Sequence, residues 1–457
     1  MKTIAAIATP HGIGGIGVIR LSGPWSKEVL KKVWKSSAIS VDNFATHRLY
    51  YGNFIDPQSG ERIDLGLAVW MKAPHSYTGE DVVELQGHGS PLLLEKILNS
   101  CLDAGAHLAE PGEFTKRAYL NGKLDLAQAE AVSDIISASS EMALIQAREH
   151  LSGSLSKKIE GYQSELVKLR AFVEASIDFP EEDIELIQKE GILKRLQPIQ
   201  IGLQELLNTY EEGKIYREGL SVALVGRPNV GKSSLLNALV GKERAIVHAQ
   251  PGTTRDVIEE LCQFGGISFR LSDTAGLRIT SNEVEAIGVS KSRELLTQAD
   301  LILSIFDLSE PLLAEDIDFL SLLNLSKTIF CLNKMDLKPA WDFETLVIPQ
   351  YKENIVILSA IQGTGIEKLR DFMVVFAKKG QKTENSGVRI AKLRHKEAVE
   401  SALSELQGAN RALNEASPVE FVAFHLKKSH EYLGAITGAD IGEDLLNKIF
   451  SEFCIGK

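Results

Sequence analysis

The run Gly226-Arg227-Pro228-Asn229-Val230-Gly231-Lys232-Ser233 decides how the middle of this 457-residue chain is built. It fits the pattern G-x-x-x-x-G-K-[ST], in which glycines let backbone N–H groups surround phosphate oxygens, the lysine adds a charge and the hydroxyl can bind Mg²⁺. The apolar run 220–225 predicts a buried strand before the loop, and residues 233–239 predict an amphipathic helix after it. This order of strand, loop and helix favours a phosphate-binding loop (P-loop) over an ordinary glycine-rich turn.

Length, charge and cysteine usage narrow the class of protein. A chain of 457 residues predicts about two to four domains. The formal net charge of −11 argues against a broad nucleic-acid-coating surface but leaves a local basic patch open. The cysteines are scattered without C-x-x-C pairs, which predicts neither a zinc site nor disulfides and fits a reducing cytoplasm. They are Cys101, Cys262, Cys331 and Cys454. We find no secretory signal and no run approaching ~18 apolar residues, so we expect a cytoplasmic protein without a membrane partner.

Differences in hydrophobic periodicity divide the chain into four segments. Residues 1–118 mix short β-like runs with one helical stretch near 91–102, which predicts an α+β domain. Residues 119–215 and 381–457 carry long helical periodicity. Residues 216–380 alternate apolar strands with helical pattern, which predicts a mostly parallel sheet with helices on both faces. Because the ends of such a domain can lie close together, we expect it to be inserted in a discontinuous helical domain. The predicted fold class is therefore multidomain α/β and α+β.

Two elements downstream of the P-loop predict a metal and a switch. Asp273-Thr274-Ala275-Gly276 ends a predicted strand, where the carboxylate can hold a Mg²⁺-bound water and the Gly276 N–H can face a γ-phosphate. The loop Gly252-Thr253-Thr254-Arg255-Asp256 lies between this element and the P-loop. The Thr254 hydroxyl there could complete the Mg²⁺ shell while the γ-phosphate is bound, which makes Thr254 the candidate switch residue.

Two further elements indicate guanine. Asn333-Lys334-Met335-Asp336 follows an apolar strand, and Asp336 can accept hydrogen bonds from N1–H and the 2-amino group of guanine, a pattern that adenine lacks. Ser359-Ala360 would bring a backbone N–H near the guanine O6. The order and spacing of these elements resemble GTP-binding domains of the Ras-like superfamily. An ATPase is the less favoured alternative.

One position departs from the Ras-type pattern. Leu277 stands where that pattern supplies a glutamine that orients the attacking water. Glu283, Glu285 or a group from a second molecule could take this role, although glutamates there could equally be solvated charges at a helix start. Arg255 and Arg278 are candidate arginine fingers, although surface arginines near switches are common.

Motifs outside the P-loop segment point to one family. They are the segments 17–23, 78–89, 111–132 and 453–457. Together with the inserted P-loop domain they resemble the MnmE/TrmE family of tRNA modification GTPases over essentially the whole chain. The resemblance implies a homodimer that acts with the FAD-dependent protein MnmG in a heterotetramer or larger complex. It implies the use of 5,10-methylene- or 5-formyl-tetrahydrofolate to place a carboxymethylaminomethyl-type or aminomethyl-type group on C5 of the wobble uridine (position 34) of certain tRNAs.

The resemblance also assigns a folate site. Its residues are Arg20, Glu84, Lys123 and Lys457. Cationic side chains suit the glutamyl carboxylates of folate, and a carboxylate suits the amino-pterin edge. Without the resemblance, Arg20 and Glu84 would be ordinary strand-end charges and Lys123 a helix-start lysine.

The family further resembles potassium-activated GTPases. A monovalent cation beside the phosphates could supply the charge that an arginine finger gives elsewhere. The implied K⁺ ligands are Asn229 and backbone groups of His248, Gln250 and Thr253, and the Mg²⁺ ligands are Ser233 and Thr254. The implied catalytic residues are Lys232, Asn229 and the water-orienting Glu285. The full candidate nucleotide site comprises Asn229, Val230, Gly231, Lys232, Ser233, Ser234, His248, Ala249, Gln250, Pro251, Gly252, Thr253, Thr254, Asp273, Thr274, Ala275, Gly276, Asn333, Lys334, Asp336, Ser359 and Ala360.

Two alternatives stay open. Cys454 lies four residues from the end, but Gly456 and Lys457 fit a prenylation signal badly, which leaves a nucleophilic thiol or a docking role. The rival function is a regulatory GTPase switch in ribosome or tRNA handling that performs no one-carbon chemistry. The four folate residues distinguish the two functions, because a pure switch has no need of them in one pocket.

Overall fold

The computed structural model is divided into two compact units, each assembled from separate chain segments. It describes residues 2–178, 189–241, 259–273, 297–313, 316, 320, 323–341, 354–378, 387–415, 417–439 and 441–457. The first unit comprises Met1–Ile136, Glu149–Ile201 and Glu397–Lys457, and the second comprises Ser137–Arg148 and Gly202–Lys396. The P-loop belongs to the second unit.

The first unit contains a seven-stranded sheet of order β3-β4-β5-β6-β2-β1-β7. Its strands are β1 (Ile4–Ile7), β2 (Gly14–Ser22), β3 (Trp34–Lys35), β4 (Leu49–Ile55), β5 (Arg62–Met71), β6 (Val82–Gly89) and β7 (His107–Leu108). Neighbouring strands are antiparallel except β1 and β7, which are parallel. Helices α1 (Ser26–Val33) and α2 (Pro91–Asp103) pack on it. Only α2 was predicted; the prediction missed α1 because two helical turns are too short for clear periodicity.

Eleven further helices follow among the described residues. They are α3 (Glu113–Leu120), α4 (Leu126–Ser137), α5 (Glu141–Leu151), α6 (Ser154–Asp178), α7 (Lys189–Asn208), α8 (Tyr210–Glu218), α9 (Lys232–Val240), α10 (Ile366–Lys378), α11 (Leu393–Asn414), α12 (Val419–Thr437) and α13 (Glu443–Ser451). In the first unit α6 packs along α12, so helices from both sides of the P-loop segment share that unit. The predicted boundaries at 118, 215 and 380 stay predictions, since the unit boundaries fall within α4, α5, α7 and α11.

The second unit contains a six-stranded sheet of order β13-β12-β11-β8-β10-β9. Its strands are β8 (Leu220–Val225), β9 (Glu259–Phe264), β10 (Ile267–Asp273), β11 (Leu301–Asp307), β12 (Thr328–Asn333) and β13 (Ile355–Ile357). All pairs are parallel except β9 with β10. The strand order reverses at β8, and in open α/β sheets ligands bind beyond the carboxyl ends of strands at such a point. The predicted multidomain α/β and α+β fold class is confirmed.

Candidate functional site

The P-loop follows β8 in a backbone path that requires glycine. Gly226 and Gly231 have φ angles of 150° and 101°, values that residues with a Cβ rarely adopt. A Cβ on Gly226 would collide with the carbonyl oxygen of Ile305, and one on Gly231 with the side-chain amide of Asn333. Asn229 also has a positive φ, of 63°, and its side chain is exposed. The P-loop therefore lies so close to Ile305 of β11 and Asn333 of β12 that Gly226 and Gly231 have no room for a side chain.

Lys232 opens helix α9 and points back into the loop. Its buried ammonium group donates to the carbonyl oxygens of Gly226 and Arg227, at 2.8 Å each. Ser233 and Ser234 follow on the first turn of α9 and are exposed. The first turn of a helix carries backbone N–H groups without intrahelical partners, which favours bound anions. Charge and donors thus converge where a phosphate chain would lie.

Asn333, the last residue of β12, connects the P-loop to the predicted base-binding elements. Its Nδ2 donates to the carbonyl oxygen of Val230 at 2.8 Å, and its Oδ1 accepts from the Ala360 backbone N–H at 3.0 Å. The side chain is buried, so both bonds are shielded from water. Ser359 is buried beside Ala360, and its N–H donates to Thr364 at 2.9 Å. The Asn333 side chain therefore links the P-loop backbone at Val230 to the backbone at Ala360.

The turn after Asn333 is fixed by a buried carboxylate. Lys334 has a φ of 64°, and its ammonium group forms an ion pair with Asp307 at the end of β11. Burial alone would raise the pKa of Asp307, but hydrogen bonds from Lys334 and Ser309 outweigh it and hold that pKa below its usual range. Asp336 lies on the same turn and is exposed. The residues predicted to recognise guanine thus lie on a turn at the carboxyl edge of the sheet, and the Lys334–Asp307 ion pair holds this turn to the end of β11.

Part of the predicted nucleotide site lies outside the described residues. These positions are His248, Ala249, Gln250, Pro251, Gly252, Thr253, Thr254, Thr274, Ala275, Gly276 and Glu285, together with Arg255, Leu277, Arg278 and Glu283. For Asp273 the backbone is described, and it pairs with Leu224 at the end of β10. The roles assigned to these positions stay predictions.

A second group of predicted residues meets in the first unit. Arg20 on β2 and Glu84 on β6 are cross-strand partners, and the Nε and one terminal nitrogen of Arg20 lie 2.9 and 2.8 Å from Oε1 of Glu84. The other terminal nitrogen donates to the Gly456 carbonyl oxygen at 3.5 Å. The rings of Tyr77 and Phe114 lie 5.6 and 5.8 Å from the guanidinium carbon. Arg20 therefore contacts residues that lie as far as 436 positions away in the sequence.

Lys457 joins this group through the chain end. Burial and the nearby charge of Arg20 lower the pKa of Lys457, while Glu84 acts in the opposite direction. The carbonyl oxygen of Lys457 accepts from the Phe114 N–H at 3.2 Å, at the start of α3. We call Arg20, Glu84 and Lys457 the charged cluster. Three of the four predicted folate residues thus lie together.

Lys123 lies apart from direct contact with that cluster's charges. It is exposed, and its ammonium group donates to the carbonyl oxygen of Pro74 at 3.2 Å. Pro74 lies in the loop between β5 and β6, which also carries Tyr77, the ring beside Arg20. Lys123 therefore contacts the loop that carries Tyr77.

Cys454 differs from the other cysteines in its exposure. All four thiols are free, and Cys101, Cys262 and Cys331 are buried. Burial raises the pKa of Cys101 to about 12 and also raises the pKa of Cys331. Cys454 is exposed, and its carbonyl oxygen accepts from the Gly112 N–H at 3.4 Å. Of the four, Cys454 alone presents an accessible thiol beside the charged cluster.

Comparison with known proteins identifies the family. The family model described as the MnmE helical domain matches residues 126–454, and that of the GTP-binding protein TrmE N-terminus matches residues 3–123. The tRNA modification GTPase MnmE of Clostridioides difficile (strain 630) is 46% identical over 100% of this chain and 99% of that protein. The chain belongs to the MnmE family of tRNA modification GTPases. The MnmE proteins of Moorella thermoacetica and Carboxydothermus hydrogenoformans are 46% and 44% identical, each over 100% of this chain and 99% of the relative.

Membership of the MnmE family confirms the resemblance found in the motifs. The chain is a GTP hydrolase of tRNA modification. Within the described part of the chain, every helix is too short or too polar to cross a membrane.

Sequence reasoning missed two buried charged residues near the candidate sites. Asp307 fixes Lys334, and its only signal was an acidic residue at the end of an apolar strand. Arg117 is 8% exposed and pairs with Glu80 and Glu113. It lies inside the quoted segment 111–132, but no pattern distinguishes a buried arginine from a surface one.

Proposed function

We propose that this MnmE-family GTPase, together with the FAD-dependent protein MnmG, adds a carboxymethylaminomethyl-type group to C5 of uridine 34 of certain tRNAs. A tetrahydrofolate derivative supplies the one-carbon unit when it is bound. The observation that supports this proposal is the charged cluster of Arg20, Glu84 and Lys457, which belongs to a different compact unit from the P-loop. A GTPase that only switches between nucleotide states has no use for such a cluster.

The chemistry of the charged cluster fits a folate. Burial and the nearby charge of Arg20 both disfavour the charged form of Lys457 and lower its pKa. A glutamyl carboxylate between the two cations would relieve that repulsion. Both Arg20 bonds to Glu84 use Oε1, so Oε2 is the oxygen that we propose accepts hydrogen bonds from the amino-pterin edge. Lys123 would contribute from the Pro74 loop.

For the nucleotide site we propose that Lys232 binds the phosphates and that Ser233 holds Mg²⁺. Asn229 would bind K⁺, because it lies within the P-loop and combines a left-handed backbone with an exposed side chain. Backbone groups of His248, Gln250 and Thr253 would complete the K⁺ shell. Thr254 would complete the Mg²⁺ shell and Glu285 would orient the attacking water, and these roles rest on the family resemblance.

Potassium activation is tested by the rate of GTP hydrolysis in KCl and in NaCl at equal ionic strength. We expect a rate at least about ten-fold higher in KCl, because a bound cation supplies transition-state charge. Asn229→Ala should remove this difference, and Asn237→Ala, on an exposed position of α9, should keep it. Equal rates of the unaltered protein in both salts would remove potassium from the mechanism.

We further propose that the protein acts in the cytoplasm as a homodimer, in a heterotetramer or larger complex with MnmG, and on tRNA. Nucleoside analysis of tRNA from cells that lack the protein tests the reaction. We expect uridine 34 to lose its modification, and restoration by the unaltered gene but not by an Arg20→Ala gene. An unchanged nucleoside profile would favour the rival function, a regulatory switch without one-carbon chemistry.

A further inference from the structure

The loop 74–80, between β5 and β6, is held against helix α3 and the turn that follows it. Four side-chain hydrogen bonds connect them. They join Lys123 to the Pro74 carbonyl at 3.2 Å, Tyr77 to Thr115 at 2.8 Å, Asn121 to the Thr78 carbonyl at 2.8 Å and Arg117 to Glu80 at 2.9 Å. Each bond comes from the segment 113–123 or ends on it. The loop and the helix therefore form one wall.

Arg117 is the most buried charged group of that wall. Its side chain is 10% exposed, and it also donates to Glu113 at 2.7 Å and to the Lys2 carbonyl at 2.9 Å. Glu80 in turn accepts from the Ser22 hydroxyl at 2.7 Å. A guanidinium donates in a planar fork, so two carboxylates on different nitrogens fix its orientation. This arrangement locks loop, helix and β2 together.

The two elements that Arg117 joins each carry one of the rings beside Arg20. Tyr77 belongs to the loop and Phe114 to α3, at 5.6 and 5.8 Å from the Arg20 guanidinium carbon. Phe114 also donates its N–H to the Lys457 carbonyl. If loop 74–80 moved relative to α3, the orientation of Arg20 and the position of Lys457 would both change.

We propose that Arg117, acting through Glu80, is a positioning residue for the charged cluster and sets its affinity for folate. This inference rests on the proposed folate function. Arg117 touches no folate in this scheme; it fixes the wall that orients Arg20 and Lys457.

The test is Glu80→Gln, which keeps the size of the side chain but removes its charge. Titration calorimetry with 5-formyltetrahydrofolate should give a Kd about ten-fold higher, because the cluster is no longer pre-organised. Thr115→Val removes only the bond to Tyr77 and should raise the Kd by about two- to three-fold. Glu212→Gln is the matched control, since Glu212 forms a comparably buried ion pair with Arg389 at 3.0 Å in the second unit. It should leave the Kd unchanged.

A second measurement does not depend on folate. Hydrogen exchange should quicken in residues 74–80 and 454–457 of the Glu80→Gln protein and stay unchanged in β4. If the unaltered protein fails to bind folate but exchange behaves in this way, the folate function is wrong and the positioning role stands. If folate binds equally well to Glu80→Gln and exchange is unchanged, the positioning role is overturned. Thermal unfolding of Glu80→Gln and Glu212→Gln separates a loss of affinity from a loss of stability.

Discussion

The nucleotide site and the charged cluster are built in opposite ways. The P-loop is one short run of chain whose backbone geometry makes the site, with glycines at φ angles of 150° and 101°. The charged cluster takes side chains from β2, from β6 and from Lys457, and one of its bonds joins Arg20 to a backbone carbonyl 436 positions away. A local backbone site is encoded in consecutive residues, whereas a site of distant side chains depends on sheet register. We therefore expect an added side-chain atom to disrupt the nucleotide site, and the removal of a charged side chain to disrupt the charged cluster.

The largest effect is expected from Gly231→Ala. The added Cβ would collide with the side-chain amide of Asn333 at a positive φ, so the loop must distort. Affinity for a fluorescent GTP analogue should fall by at least about a hundred-fold. Gly363→Ala is the matched control: its φ is also positive, at 77°, and no described atom lies within 4 Å of the new Cβ. Equal affinity of both variants would contradict the backbone description of the site.

Removal of one charge should break the charged cluster almost as severely. Arg20→Ala deletes the partner of Glu84 and the cation shared with the chain end. The Kd for 5-formyltetrahydrofolate should rise about a hundred-fold in titration calorimetry. Arg48→Ala, at an exposed position of the same unit, is the control and should bind normally. An unchanged Kd for 5-formyltetrahydrofolate in Arg20→Ala would contradict the folate assignment.

A change of base preference should follow Asp336→Asn. The amide cannot accept from both N1–H and the 2-amino group of guanine, so GTP affinity should fall by about a hundred-fold. Xanthosine triphosphate, which has a carbonyl at position 2, should gain affinity because the amide can donate to it. Competition binding with both nucleotides measures this, with Asp371→Asn on an exposed turn of α10 as the control. An unchanged preference would remove Asp336 from base recognition.

The smallest effect concerns acid stability of the second unit. The pKa of Asp307 is lowered in the folded state, so its ion pair with Lys334 contributes stability above the unfolded pKa of about 3.9. That contribution is lost as pH falls through the folded pKa. Urea unfolding between about pH 5 and pH 3 should show a shallower acid loss for Asp307→Asn, by about 1 kcal/mol or less. Parallel curves for the two proteins would show that the carboxylate does not titrate in this way.

The same contrast explains what the sequence could predict. The strand at 220–225 was predicted at the bounds that the structure has, because a buried strand followed by a motif is a local pattern. Helix α1 was missed because only two turns carry its periodicity. Arg20 and Glu84 were assigned only through the family resemblance, since cross-strand register is not written in either strand alone. Arg117 could not be recognised, because its burial depends on three separate segments.

The independence of the two sites is tested most directly by titrating 5-formyltetrahydrofolate into the Gly231→Ala protein. The backbone change belongs to the second unit and the charged cluster to the first. We predict a Kd for folate equal to that of the unaltered protein, although the affinity for GTP falls by at least about a hundred-fold. Loss of folate binding in this variant would contradict the existence of two separately built sites.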